Sequence, residues 1–324
     1  MQETVLVLGA GGRFGRAATT AFAAAGWRVR TLSRGAVTVG DPAIDARRGD
    51  ARDPAVLASA MTGVDVVVYA INPPYGRWSR DVLPLAERAF EAAELVGATV
   101  LLPGNVYAYG DALPARLDES TPFAPSETLG RVRERLERRL REASERGARA
   151  IVLRAGDFVE GRRSGNWFED HVLGRLDAGR VRYPGPLDRA HAWAWLDDVA
   201  AAAVGLAATR HRLAPFETVG FPGWSPTGQE LVATLERVSG HSLTVGAMPW
   251  PLIRLAAPFS ADLRGVLSVR WLWERPHAID GRRLAELLPD FRPLDLDAGL
   301  ALALTRLGRD VRSSAEAIGT TQRV

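Results

Sequence analysis

An α/β architecture, a doubly wound parallel sheet followed by a smaller C-terminal substrate lobe, is what this 324-residue sequence predicts. Three observations carry the expectation. Short apolar runs alternate with helical stretches of ten or more residues through the first half of the chain, the pattern of βαβ units with parallel strands. The first run, Val5-Leu6-Val7-Leu8, breaks on a glycine cluster from which a helix opens. Beyond Arg154 the alternation stops, and Gly, Pro and Trp become frequent.

Taken in order, Thr4–Leu8 reads as the first strand, residues 13–25 as a helix stopped by Gly26, and residues 28–32 as the second strand. A short segment before Asp50-Ala51 supplies a third strand. Residues 64–69 read as an apolar run, with Asp65 its one charged residue, of the kind buried on both faces of a parallel sheet. A helix over 80–96, a strand over 99–102, a helix over 128–146 and a strand over 150–154 follow. The alanine-rich Leu196–Ala208 reads as a helix lying back on the sheet, with later helices over 227–239 and 280–288. The expected organisation is a dinucleotide-binding domain over 1–155, to which 192–210 returns. A substrate-side lobe is expected from 156–191 and 211–310, and a polar, frayed tail from 311–324.

Composition excludes several kinds of chemistry. The chain has no cysteine, so disulfides, thiolate metal sites and cysteine nucleophiles are ruled out. All 41 basic residues are arginine, which removes Schiff-base lysines and catalytic ammonium groups. A net charge of +3 does not imply a nucleic-acid partner. No uncharged apolar run approaches the roughly 18 residues of a membrane span, and no leader is read at the start, so a cytoplasmic protein with a small-molecule substrate is expected. No histidine has metal-ligand spacing with another, and no metal is expected.

The glycine cluster has a mechanical logic. In Gly9-Ala10-Gly11-Gly12-Arg13-Phe14-Gly15 the chain leaves a strand, reverses, and enters a helix whose unpaired N–H groups face a phosphate. Gly9 permits the turn, Gly12 lets a diphosphate approach the backbone, and Gly15 lets helix and strand pack closely. The fold this turn opens is Rossmann-type. An acidic residue after the second strand would bind the ribose 2′-hydroxyl of NAD, whereas this chain has Ser33-Arg34 there and Arg13 in the turn. Both favour the 2′-phosphate, so NADP(H) is expected over NAD(H). The Asp50 carboxylate, next to Ala51, is placed to receive the adenine amino group, and Ala70-Ile71-Asn72 to run alongside the cofactor.

These features together resemble the extended or atypical short-chain dehydrogenase/reductase superfamily, the NAD(P)-dependent epimerase/dehydratase type. The resemblance is carried by Gly9-x-x-Gly12-x-x-Gly15, Gly49-Asp50, Val106-Tyr107-x-Tyr109-Gly110 and Pro125 leading into residues 129–137. Leu153-Arg154-Ala155-Gly156-Asp157-Phe158 resembles the family's turn beside the nicotinamide, and Trp195-Leu196-Asp197-Asp198-Val199-Ala200 its helix-opening segment near the domain boundary. Members use a Ser-Tyr-Lys triad, in which the lysine lowers the tyrosine's pKa so that the phenol exchanges a proton with the substrate. Laid on this chain, the serine position is Asn105, the tyrosine position Leu129 and the lysine position Arg133. Asn105 still hydrogen-bonds an oxygen and Arg133 still offers a charge to the nicotinamide ribose, but Leu129 moves no proton.

A replacement acid is therefore sought among Tyr107, Tyr109 and Tyr75, the last on the loop Asn72-Pro73-Pro74-Tyr75. Asp157 is expected to stabilise its turn by a hydrogen bond, and His171 and His191 to be structural or exposed. The arginine-rich stretch 131–149 interleaves glutamates at i,i+4 spacing with a Leu129, Val132, Leu136, Leu140 stripe, a solvated helix with one packed face or a homodimer helix like those the family uses. Two functions from different classes follow. One is an NADP(H)-dependent oxidoreductase or epimerase-like enzyme with a non-standard acid, and the other a non-catalytic NADP(H)-binding sensor.

Overall fold

The computed structural model describes residues 2–35, 44–309 and 311, so the tail expected to fray lies outside the described residues, Val311 excepted. Seven parallel strands make the central sheet: β1 Thr4–Leu8, β2 Arg28–Ser33, β3 Asp45–Arg48, β4 Val66–Tyr69, β5 Thr99–Gly104, β6 Arg149–Arg154 and β7 Phe216–Gly220. Their order is β7-β6-β5-β4-β1-β2-β3, the doubly wound arrangement that reverses direction between β1 and β4. Helices α1 Arg13–Ala24, α2 Pro54–Met61, α3 Trp78–Val96, α4 Thr128–Glu145 and α5 Leu196–Ala208 flank them.

The apolar runs are continuous because both faces of the sheet are covered. Val5, Val7, Val66 and Val68 pack with Phe14, Phe22, Val199 and Leu206 of α1 and α5. Leu6, Leu8, Val67 and Tyr69 pack with Phe90, Leu136 and Leu140 of α3 and α4. Alternate residues of one strand serve opposite cores. Local signals fix the ends: Asp53 caps α2 by accepting from the Ala55 and Val56 N–H groups ahead of Pro54, and Gly97, at φ +66°, terminates α3.

The second lobe gathers α6 Gly228–Ser239, α7 Trp250–Ala256, α8 Ala261–Ser268 and α10 Leu296–Arg306. Its own core contains Phe168, Trp193, Trp195, Trp224, Trp250, Trp273, Leu235 and Leu300. Residues 216–220, read from sequence as part of this lobe, instead complete the sheet as β7, paired in parallel with β6 from Phe216↔Ala150 to Gly220↔Arg154. Helix α9, Arg282–Leu287, also leaves the expected lobe, for its Leu284 packs in the sheet core beside Val219 and Phe221. The crossover through α5 explains the strand: a helix lying back on the sheet delivers a further parallel strand at the edge.

Candidate cofactor and active site

A cleft of about 1200 Å³ opens along the carboxyl ends of the strands and runs from the glycine turn to the second lobe. At the glycine end the backbone is close-packed. A Cβ on Gly9, whose φ is +83°, would stand 2.8 Å from the Ala70 carbonyl, and one on Gly15 would stand 2.3 Å from the Gly9 oxygen. Gly12, the N-cap of α1, has no side-chain cap, and the first turn of α1 holds no acidic residue. By contrast, Asp53, Glu127 and Thr227 cap α2, α4 and α6. The first-turn N–H groups of α1 are thus left for an anion, in a cradle where a Cβ on Gly11 would meet no described atom within 4 Å and Arg13 stands beside it. These residues fit a dinucleotide diphosphate.

Other expected cofactor residues line the same cleft: Gly9, Gly12, Arg13, Phe14, Ser33, Arg34, Asp50, Ala51, Ala70, Ile71, Asn72, Arg133 and Gly156. Gly15 lies beneath it, in the turn-to-helix contact just described. Phe14 stacks on Phe158, ring centroids 6.3 Å apart. Gly156 lies where a Cβ would meet the Ala192 carbonyl oxygen at 2.2 Å, so its bareness lets the strand after β6 approach residue 192. Arg34 is exposed at the end of β2, its backbone oxygen accepting from Arg48 Nε at 3.2 Å. Asp50 receives the Arg52 N–H at 3.0 Å.

Further along the cleft stand Asn105, Tyr107, Tyr75, Trp78 and Arg133. The Tyr75 and Tyr107 hydroxyls are 2.5 Å apart, one donating to the other. The Arg133 guanidinium lies over the Trp78 ring at 4.9 Å, and its Nη1 donates to the Pro103 carbonyl at 3.3 Å. Its Nε is buried with no partner among the described residues, a donor in want of an acceptor. Asn105 Oδ1 accepts from the Tyr107 N–H at 3.2 Å. Burial raises both phenols, Tyr75 to about 12 and Tyr107 well above its ordinary value, with the Asp157 carboxylate adding to each. Both therefore stay protonated at neutral pH.

Tyr109, expected as a candidate acid, does not line the cleft. Its ring is buried against Phe123, centroids 5.3 Å apart, and beneath the Arg154 guanidinium at 5.1 Å. Arg154 is held there by Glu137, Nη2 to Oε2 2.7 Å, and also donates to the Asn105 carbonyl at 2.5 Å. Leu129, at the position where the resemblance implies a tyrosine, is 4% exposed and packed in the core. His191, read as structural or exposed, is buried with Nε2 2.9 Å from Asp157 Oδ2. Asp157 thus bonds across to a second segment rather than stabilising its own turn. Sequence reading missed that pair because the partners are brought together by the parallel bridge of Asp157–Val159 with Trp193–Trp195. Among the described residues, no cluster of three or more His, Asp and Glu side chains is arranged to hold a metal ion, and no helix is long and apolar enough to cross a membrane.

Fold and site define a dinucleotide-binding α/β protein. The chain belongs to the NAD(P)H-binding family, whose model matches residues 9–170, half of its length. No curated protein matches it in sequence. Among solved structures it is similar to MoeE5 in complex with UDP-glucose and NAD, at 19% identity over 94% of this chain and 98% of that one, TM-score 0.74. It is similar to UDP-glucose 4-epimerase from Brucella ovis in complex with NAD, at 20% identity over 96% and 100%, TM-score 0.72. UDP-N-acetylglucosamine 4-epimerase from Bacillus cereus aligns at 15% identity over 94% and 99%, TM-score 0.74. At these identities the likeness shows the fold.

Proposed function

We propose that the chain is an NADP(H)-dependent oxidoreductase or epimerase-like enzyme acting on a small carbonyl, hydroxyl or sugar-like substrate. The observation that carries this reading is one continuous cleft joining the uncapped glycine turn to a polar cluster of Tyr75, Tyr107, Asn105 and Arg133. A bound nicotinamide supplies or accepts a hydride at the substrate carbon. The chain's own part is to hold the substrate oxygen. A phenol kept protonated by burial donates a hydrogen bond to an oxygen that gains charge as a carbonyl is reduced, where such a donor is worth most. Arg133 brings a permanent charge and a spare N–H to the same region.

The preference for NADP(H) rests on Ser33-Arg34 at the end of β2, where a ribose-binding carboxylate would stand for NAD, and on Arg13 in the turn. Two of the solved neighbours, MoeE5 and the Brucella ovis UDP-glucose 4-epimerase, are complexes with NAD, so the cofactor is the first quantity to measure. Buried Leu129 favours a second reading, a protein that binds NADP(H) without turning it over and reports cofactor state. NADPH binding followed by a panel of ketones, aldehydes, secondary alcohols and nucleotide sugars separates the two. Oxidation or reduction of cofactor on any of them supports the enzyme, while tight binding with no turnover on the whole panel leaves the sensor.

A further inference from the structure

If Tyr75 and Tyr107 hold the substrate oxygen as neutral phenols, the proton lost or gained there must be carried by another group. The described cleft offers one with the right chemistry. Asp157 lines the cleft, with its side chain about one quarter exposed at 24%. Its Oδ2 is bonded to His191 Nε2 at 2.9 Å, and that is its side chain's one hydrogen bond among the described residues. The second carboxylate oxygen meets no described hydrogen-bond partner, on a side chain that lines the cleft.

His191 behind it is fixed. The residue is 2% exposed, and its ring lies parallel to the Trp273 indole, centroids 3.9 Å apart and planes within 4°. His277 crosses it edge-on at 4.8 Å. His191 Nδ1 is buried without a partner among the described residues. A bare nitrogen costs less there than an unpaired N–H, which favours the tautomer with the proton on Nε2, donating to the carboxylate. A carboxylate facing a cleft and backed by an immobilised imidazole is an arrangement that takes up and releases one proton. It also shares its field with the phenols, since the Asp157 charge acts on both Tyr75 and Tyr107.

The geometry points to Asp157, backed by His191, as the proton-exchanging group of the cleft, doing what Leu129 cannot; this rests on the oxidoreductase reading above. In the direction of oxidation, the substrate alcohol loses its C–H hydride to the nicotinamide of NADP⁺ and its O–H proton to the Asp157–His191 pair, and the C–O bond becomes C=O. In reduction the hydride comes from NADPH, the C=O π bond breaks, and the pair returns the proton to oxygen. Tyr75 and Tyr107 orient that oxygen throughout. Asp157 is the catalytic residue, and His191 is a positioning residue that acts through it.

The test uses the full chain, NADPH and whichever panel substrate turns over. D157N keeps the shape and removes the proton acceptor, so kcat should fall roughly 10²- to 10⁴-fold, the usual range for a lost general acid or base. KM and the NADPH dissociation constant should stay within about 2-fold. D157A should be equally slow and regain activity with added formate, a small carboxylate that enters the vacated space. H191F retains an aromatic ring on Trp273 and should lower kcat by roughly 10-fold, with D157A/H191F no slower than D157A alone, because the two act as a unit. Should D157A fail to fold, D157N alone still decides the matter. Wild-type turnover with D157N within about 3-fold of it, or folded D157A unmoved by formate, overturns the assignment while leaving the oxidoreductase reading in place. NADPH binding with no turnover on the whole panel overturns both.

Discussion

At the scale of single residues, two side chains carry separable consequences. Arg34 is exposed at the end of β2 and lines the cleft, at the position where the proposed NADP(H) would present its 2′-phosphate. The variant R34A should weaken NADPH binding roughly 10- to 100-fold and leave NADH within about 2-fold, the loss of one charge-assisted phosphate contact of about 1.5–3 kcal/mol. Titration of cofactor fluorescence measures both, and equal loss for the two cofactors would refute the NADP(H) assignment. Arg154 is buried at 2% exposure against Glu137 at 5%, joined by two hydrogen bonds. Removing one partner strands the other charge, so E137L should cost about 3–5 kcal/mol in urea unfolding. The double variant E137L/R154M should cost clearly less than the sum of the singles, because it leaves no charge unpaired.

At the scale of elements, legibility followed sequence distance. Strands β1, β2, β4, β5 and β6 and helices α1, α3, α4 and α5 are readable because each is a run with its own period and its own end signal, such as Gly97 after α3. The glycine turn is readable for the same reason: its residues are neighbours in the chain. What escaped is what long-range pairing makes. The Tyr75 and Tyr107 hydroxyls meet across 32 residues, and Asp157 and His191 across 34. Tyr109 looks equivalent to Tyr107 in sequence, yet the short turn Tyr107–Tyr109 sends one ring to the cleft and the other under Arg154. Strand β7 had a usable signal, the returning helix α5 before it, but the adjacent polar residues Glu217 and Thr218 break the apolar run by which a buried parallel strand is read. The contact between α1 and the glycine turn gives this scale its prediction. G15A places a methyl 2.3 Å from the Gly9 oxygen, against backbone that cannot swing aside. It should cost about 1–3 kcal/mol and weaken cofactor binding by at least roughly 10-fold as α1 shifts. G11A meets nothing within 4 Å and should change stability by less than about 0.5 kcal/mol. Thermal unfolding without cofactor compares the two, and similar losses would refute the packing argument.

At the scale of the whole molecule, the second lobe buries two titratable groups whose effects on stability oppose each other. His277 is 1% exposed, its Nδ1 3.0 Å from the Arg275 carbonyl, and burial with His191 alongside lowers its pKa to about 4. Glu169 is fully buried, its Oε1 accepting from the Glu160 and Gly161 N–H groups at 2.7 and 2.5 Å. Its Oε2 has no partner among the described residues, and burial raises its pKa to about 7. Between pH 6.5 and 4 the unfolded chain protonates the His277 position while the folded chain does not, so this group removes stability as the pH falls. Between pH 7 and 4.5 the folded chain holds a proton on Glu169 that the unfolded chain has released, so this group adds stability as the pH falls. Each is worth on the order of 3 kcal/mol when fully expressed, and in the shared window from pH 6.5 to 4.5 they largely cancel. Single variants should uncover the balance. H277N leaves Glu169 unopposed, so its stability relative to wild type should improve on acidification from pH 7 to 5. E169Q mimics the protonated acid and leaves His277 unopposed, so its stability relative to wild type should worsen over the same interval. Urea unfolding at half-unit pH steps reads both slopes, and slopes of the same sign would show that at least one group does not titrate in the folded lobe as its burial requires.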